Sequence, residues 1–75
     1  MSQLEYFIDS ETQKEIGFEL WKMRQEKRLL LRQVHRQTNI PEKIIDGIET
    51  GRYINYGMIR RLIKFYGKKM RIVFD

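Results

Sequence analysis

Apolar residues in this chain recur at helical spacing in four short stretches and alternate in a fifth. The first stretch begins at Ser10, which with Gln13 three residues on reads as a capping box. Ile16, Leu20 and Met23 then fall on one side of a 3.6-residue period, with polar residues between Lys22 and Lys27 apart from Met23. This pattern predicts a helix from Glu11 to Lys27. A short helix follows from Leu31 to Thr38, with Val34 as its inward residue. A third is expected over Glu42 to Thr50. Pro41 stands at its first turn, where a missing N–H costs nothing. Ile45 and Ile48 face inward, and Gly51 suits the left-handed position just past the end. Asn55 is placed to cap a fourth helix, Tyr56 to Tyr66. Its inward stripe is Tyr56, Ile59, Leu62, Ile63 and Tyr66, and Gly67 stops it.

The last segment changes period. Met70, Ile72 and Phe74 alternate with Arg71, Val73 and Asp75, which predicts a short C-terminal strand. A lone strand leaves its backbone groups unpaired, so it needs a mate. One candidate is the weakly alternating Leu4 to Ile8; the other is the same strand of a second chain. A small core gains most from association, so the second chain is the expected mate, with Met70, Ile72 and Phe74 as dimerisation residues. The organisation expected is one domain: an arm over 1–9, a helical core over 11–66 and a strand over 69–74.

Composition narrows the function. The 75 residues make a single domain whose core is near the lower limit for folding unaided. The absence of cysteine excludes disulfides and cysteine-based metal sites, and one histidine, His35, cannot make a zinc site alone. No metal and no cofactor is expected. The balance of 15 Lys and Arg against 10 Asp and Glu, a net charge of +5, favours a polyanionic partner. The longest apolar runs are three residues, as at Leu29–Leu31, so no membrane partner is expected. The start, Met1-Ser2-Gln3-Leu4-Glu5, lacks the regions of a signal peptide, and the cytoplasm is the expected location. The chain has no Gly-rich phosphate loop and no Ser/His/Asp or Cys/His arrangement. An enzyme with a small-molecule substrate is therefore not expected.

Two short helices joined by a tight turn, the second facing outward, have the geometry that fills a DNA major groove. The turn needs a residue tolerant of positive φ, and Asn39 serves best after glycine. Ile40 can plug the gap between the helices, and Val34 can pack against Ile45 and Ile48. The aromatic set Phe18, Trp21, Tyr53, Tyr56, Phe65 and Tyr66 is helically spaced, which points to core or dimer packing rather than base stacking. The run from Arg60 to Lys64 reads as the solvated face of the fourth helix, part of it near a DNA backbone.

From Leu20 to Gly67 the chain resembles the Cro/CI-type (XRE) helix-turn-helix family. Arg24, Leu29, Val34, Ile40, Ile45, Ile48, Glu49 and Gly51 stand at that family's spacing. The resemblance implies an all-α, four-to-five-helix lambda-repressor-like domain that dimerises and binds double-stranded DNA as a transcriptional repressor. Carried over by position, the base-edge residues are Glu42, Lys43 and Asp46: Lys43 donating to guanine, the acids accepting from cytosine. Arg32, Arg52 and Tyr53 fall at phosphate-contacting positions. The alternating tail is similar to that of HipB-like antitoxin regulators, whose strands pair between subunits, and it implies an autoregulating antitoxin as the narrower form. At the start of the second helix this chain has Leu30 and Leu31 where the family commonly has Ser and Gln. With Ile44 and Ile54 they define the alternative, a protein-interaction module whose apolar patch takes a partner such as a toxin.

Overall fold

The computed structural model describes residues 9–67, and these fold as helices only: α1 (Ser10–Glu26), α2 (Leu31–Thr38), α3 (Glu42–Glu49) and α4 (Tyr56–Phe65). The arm preceding Asp9 and the tail carrying Met70, Ile72 and Phe74 lie outside the described residues. No described helix is long and apolar enough to cross a membrane.

Helix α1 begins one residue earlier than its periodicity predicts, because the cap is Asp9 and not Ser10. The Asp9 carboxylate accepts the Thr12 N–H at 2.7 Å, and this bond holds its pKa below the usual carboxylate value. Gln13, expected to complete a capping box with Ser10, instead donates from Nε2 to the Gly51 carbonyl at 2.7 Å, tying α1 to the end of α3. Helix α1 ends through Arg28, which adopts a left-handed φ of 54° although it is not glycine. Asn55 caps α4 as its position implies, accepting the Met58 N–H at 3.0 Å. Pro41 stands at the cap position of α3, one place before its first turn, and its carbonyl accepts the Ile44 and Ile45 N–H groups.

The core forms where the four apolar stripes meet. Ile16, Leu20 and Met23 of α1 pack with Val34, Ile40, Ile45, Ile48, Ile59, Leu62 and Tyr66. Helix α3 sits against both α1 and α2, and α2 also meets α4. Tyr56 departs from the inward stripe expected of α4. As the first residue of the helix it lies beyond the core's edge and is exposed. Phe18 and Trp21 likewise face outward from α1 rather than into the core.

Candidate nucleic-acid interface

The candidate interface is built on α2, α3 and residues 39–41 between them. Asn39 takes a left-handed conformation, φ 64° and ψ 13°, which reverses the chain direction after α2. Its N–H donates to the His35 carbonyl at 2.8 Å. Ile40 follows and is fully buried, sealing the space between the helices.

Polar side chains then satisfy the turn's backbone. His35 donates from Nδ1 to the Ile40 carbonyl at 2.9 Å, an arrangement that requires the proton on that nitrogen. The buried Thr38 hydroxyl donates to the Val34 carbonyl at 2.8 Å and accepts the Ile40 N–H at 3.2 Å. Arg61 reaches from α4 and donates from Nη2 to the Thr38 carbonyl. The run from Arg60 to Lys64 is therefore not wholly a solvated face, since Arg61 is spent on holding the end of α2. Backbone groups buried in a turn must find partners. Here side chains from two helices supply them, so the turn is rigid by construction.

That rigidity orients α3. Ile45 and Ile48 are buried on one side, while Glu42 and Lys43 are exposed on the other. Asp46, also on the outer side, is half-exposed and pairs with Arg52: Nη2 to Oδ2 is 2.6 Å. Arg52 Nε further donates to the Thr50 hydroxyl at 2.9 Å. Two residues expected to contact DNA separately are thus joined, and Asp46 is partly neutralised. Tyr53 is exposed just beyond, its N–H donating to the Gly47 carbonyl at 3.1 Å. Arg32 is exposed in the first turn of α2. Over residues 31–53 the cations Arg32, Arg36, Lys43 and Arg52 stand at the surface against the acids Glu42 and Asp46, because Glu49 is buried. The surface charge is positive, and half its acid content carries its own counter-ion.

No side chain caps α2 from Leu30. The Gln33 side-chain oxygen accepts the Leu30 N–H at 2.7 Å, the half of a capping box that does not depend on residue 30 having a polar side chain. The side chain of Leu30 is 55% exposed, whereas Leu31, Ile44 and Ile54 pack partly buried against the core.

Beneath the interface lies an ion pair that periodicity does not reveal. Arg24 grips Glu49 bidentately, Nε to Oε2 at 2.7 Å and Nη2 to Oε1 at 2.8 Å, and its Nη1 donates to the Leu29 carbonyl at 2.9 Å. This ties α1, the α1–α2 loop and the end of α3 together. The hydrogen bonds to Glu49 raise the Arg24 guanidinium pKa above its already high ordinary value, so Arg24 stays charged at any ordinary pH. The signal available in the sequence was an acid within an otherwise apolar inner stretch, Ile45-x-x-Ile48-Glu49.

Nearby, Tyr66 is buried and its hydroxyl has no hydrogen-bond partner among the described residues. Burial, aided by the negative charge of Glu49, pushes the phenol from 10.0 up to about 12. A folded-state pKa raised in this way leaves stability intact below about pH 10 and lost as pH rises through 12. Tyr66→Phe is expected to abolish that alkaline loss and to leave neutral-pH stability unchanged or raised by up to about 1 kcal/mol. Urea unfolding at pH 7 and at pH 11 checks both, and an unchanged alkaline loss would mean that another group is responsible.

Among the described residues no group of three or more His, Asp or Glu gathers that could hold a metal ion. Comparison of the chain with protein families, curated proteins and solved structures finds no match, so the functional reading rests on the residues themselves.

Proposed function

We propose that this protein is a double-stranded DNA-binding transcriptional regulator of Cro/CI type, in which α2 and α3 form a helix-turn-helix on a lambda-repressor-like domain. The observation that carries this reading is the α2–α3 unit: a left-handed Asn39, a buried Ile40 plug and an α3 whose polar face, with Glu42 and Lys43, is free for a groove. In this reading Lys43 and Glu42 address base edges, and Arg32, Arg52 and Tyr53 address phosphates and sugar. Asp46 acts chiefly by positioning Arg52. The protein acts in the cytoplasm as a homodimeric repressor on a near-palindromic site, with half-sites about 34 Å apart. The autoregulating antitoxin is its narrower form, with the tail residues Met70, Ile72 and Phe74 contributing to assembly.

The protein-interaction alternative, with a toxin-like partner on Leu30, Leu31, Ile44 and Ile54, has less to stand on. Three of those four side chains already pack against the core, and Leu30 alone projects.

Fluorescence anisotropy with DNA from upstream of the protein's own gene, beside a scrambled duplex and across a salt series, tests the reading. The expected result is a preference for the upstream DNA of about a hundredfold or more, with affinity falling steeply as salt rises. Lys43→Ala should cost about 1–3 kcal/mol on that DNA and much less on the scrambled duplex. Equal, weak binding to both duplexes would overturn the proposal.

A further inference from the structure

The outer face of α1 carries an apolar feature that the core does not use. Phe18 and Trp21, 53% and 41% exposed, stack with ring centroids 5.8 Å apart and planes inclined by 15°. The Lys22 ammonium lies 5.0 Å from the Phe18 centroid and 2.8 Å from the Glu19 carboxylate, which fixes the edge of the stack. Single exposed aromatics are ordinary on protein surfaces. A contiguous pair, already ordered by its neighbours, loses little entropy when something covers it.

Charge along the same helix indicates what covers it. From Asp9 to Glu19 the acids are Asp9, Glu11, Glu15 and Glu19, against one cation, Lys14. From Lys22 through the turn that follows α1 the sign reverses: Lys27 and Arg28 stand against Glu26, with Lys22 paired to Glu19 and Arg24 committed to Glu49. A helix acidic at one end and basic at the other is complementary to its own antiparallel copy and repels a parallel one. At 100° per residue, Glu11, Lys14, Phe18, Trp21 and Gln25 share the face opposite Ile16, Leu20 and Met23.

We propose that α1 pairs antiparallel with α1 of a second copy of this chain, through the Phe18–Trp21 stack. A two-fold axis midway between the two rings sets Phe18 against the partner's Trp21, Lys14 against the partner's Gln25 and Glu11 against the partner's Arg28. The contact is self-complementary, as a two-fold interface requires. One helix face is small for an interface, so the dissociation constant is on the order of micromolar. This contact is independent of the DNA-binding reading and of any pairing through the tail.

Sedimentation equilibrium of the full chain without DNA, across a concentration series, tests it. Wild type is expected to show a monomer–dimer equilibrium, which Trp21→Ala weakens about tenfold or more. Glu11→Arg should also weaken it, and adding Arg28→Glu in the same chain should restore it. Because the natural chain has no cysteine, Lys14→Cys and Gln25→Cys report the direction of pairing. Oxidised together they should give a cross-linked dimer, and neither should do so alone. These positions are exposed, and unchanged far-UV circular dichroism establishes that each variant is folded.

A protein monomeric at every concentration, a dimer indifferent to Trp21→Ala, or cross-linking of either cysteine variant alone would each overturn the proposal. Binding of upstream DNA is read separately. A chain monomeric without DNA that still prefers that DNA overturns this inference and leaves the DNA-binding reading standing, and a dimer that binds no DNA preferentially overturns only that reading.

Discussion

Arg24→Met is expected to destabilise the domain by about 3–5 kcal/mol, because it strands a buried carboxylate. The Glu49 side chain is 4% exposed and the Arg24 side chain 11%, so water cannot replace the guanidinium. The Leu29 carbonyl loses its donor as well. A domain of this size has about 5 kcal/mol of stability in total, so a substantial fraction of the variant should be unfolded at room temperature. Glu49→Gln should cost less, since the amide oxygen still accepts one guanidinium N–H. The double variant Arg24→Met/Glu49→Met should recover more than half the loss, because no charge then remains buried. Urea unfolding of the four proteins measures the coupling. A single-variant loss below about 1 kcal/mol would show the pair to be screened like a surface bridge.

Gly17→Ala should also destabilise, against the direction that helix propensity dictates. Alanine inside a helix is favoured over glycine by about 0.5–1 kcal/mol. At Gly17, however, a Cβ would overlap the Ile48 carbonyl oxygen and stand 2.7 Å from that of Glu49. These are backbone atoms at the end of α3 and cannot turn aside, so α1 and α3 must separate. Overpacking of this kind costs about 3 kcal/mol, which outweighs the propensity gain and leaves a net loss of about 2 kcal/mol. The melting temperature should fall by about 10 °C or more. Gly57→Ala supplies the contrast: its Cβ would meet only the Asn55 side-chain oxygen, at 3.4 Å, an ordinary contact. Thermal melts should show Gly57→Ala neutral or stabilised and Gly17→Ala clearly destabilised. Equal melting of the two would mean that α1 shifts freely on α3.

Both effects bear on the candidate interface, since α3 is held from behind by Gly17 and by the Arg24–Glu49 pair. A displaced α3 carries Glu42, Lys43 and the Asp46–Arg52 pair with it. If the protein binds DNA as proposed, loss of that binding in such variants reflects misplacement of α3 and not a missing contact.

Where the chain alternates apolar and polar positions with helical period, local sequence decided the structure. Ile16, Leu20 and Met23, then Val34, then Ile45 and Ile48, then Ile59, Leu62 and Tyr66 are buried as the period selects, whereas Tyr56 of the same expected stripe is exposed and Ile63 only partly buried. The left-handed positions were legible too at Asn39 and Gly51, because few residues accept a positive φ. Left-handed Arg28 was not, since nothing in its side chain announces that conformation. The resemblance to the helix-turn-helix pattern marked Arg32, Glu42, Lys43, Asp46, Arg52 and Tyr53 as candidates by position, and the fold leaves each of them with access to solvent. Tertiary structure alone decided which groups meet across the chain. Arg24 meets Glu49, Arg61 meets the Thr38 carbonyl, Gln13 meets Gly51, and Gly17 admits the end of α3. Periodicity reports which face of a helix avoids water, a property of each segment by itself. A hydrogen bond or a close approach depends on the relative placement of two segments distant in sequence, and that placement exists only once the core has closed.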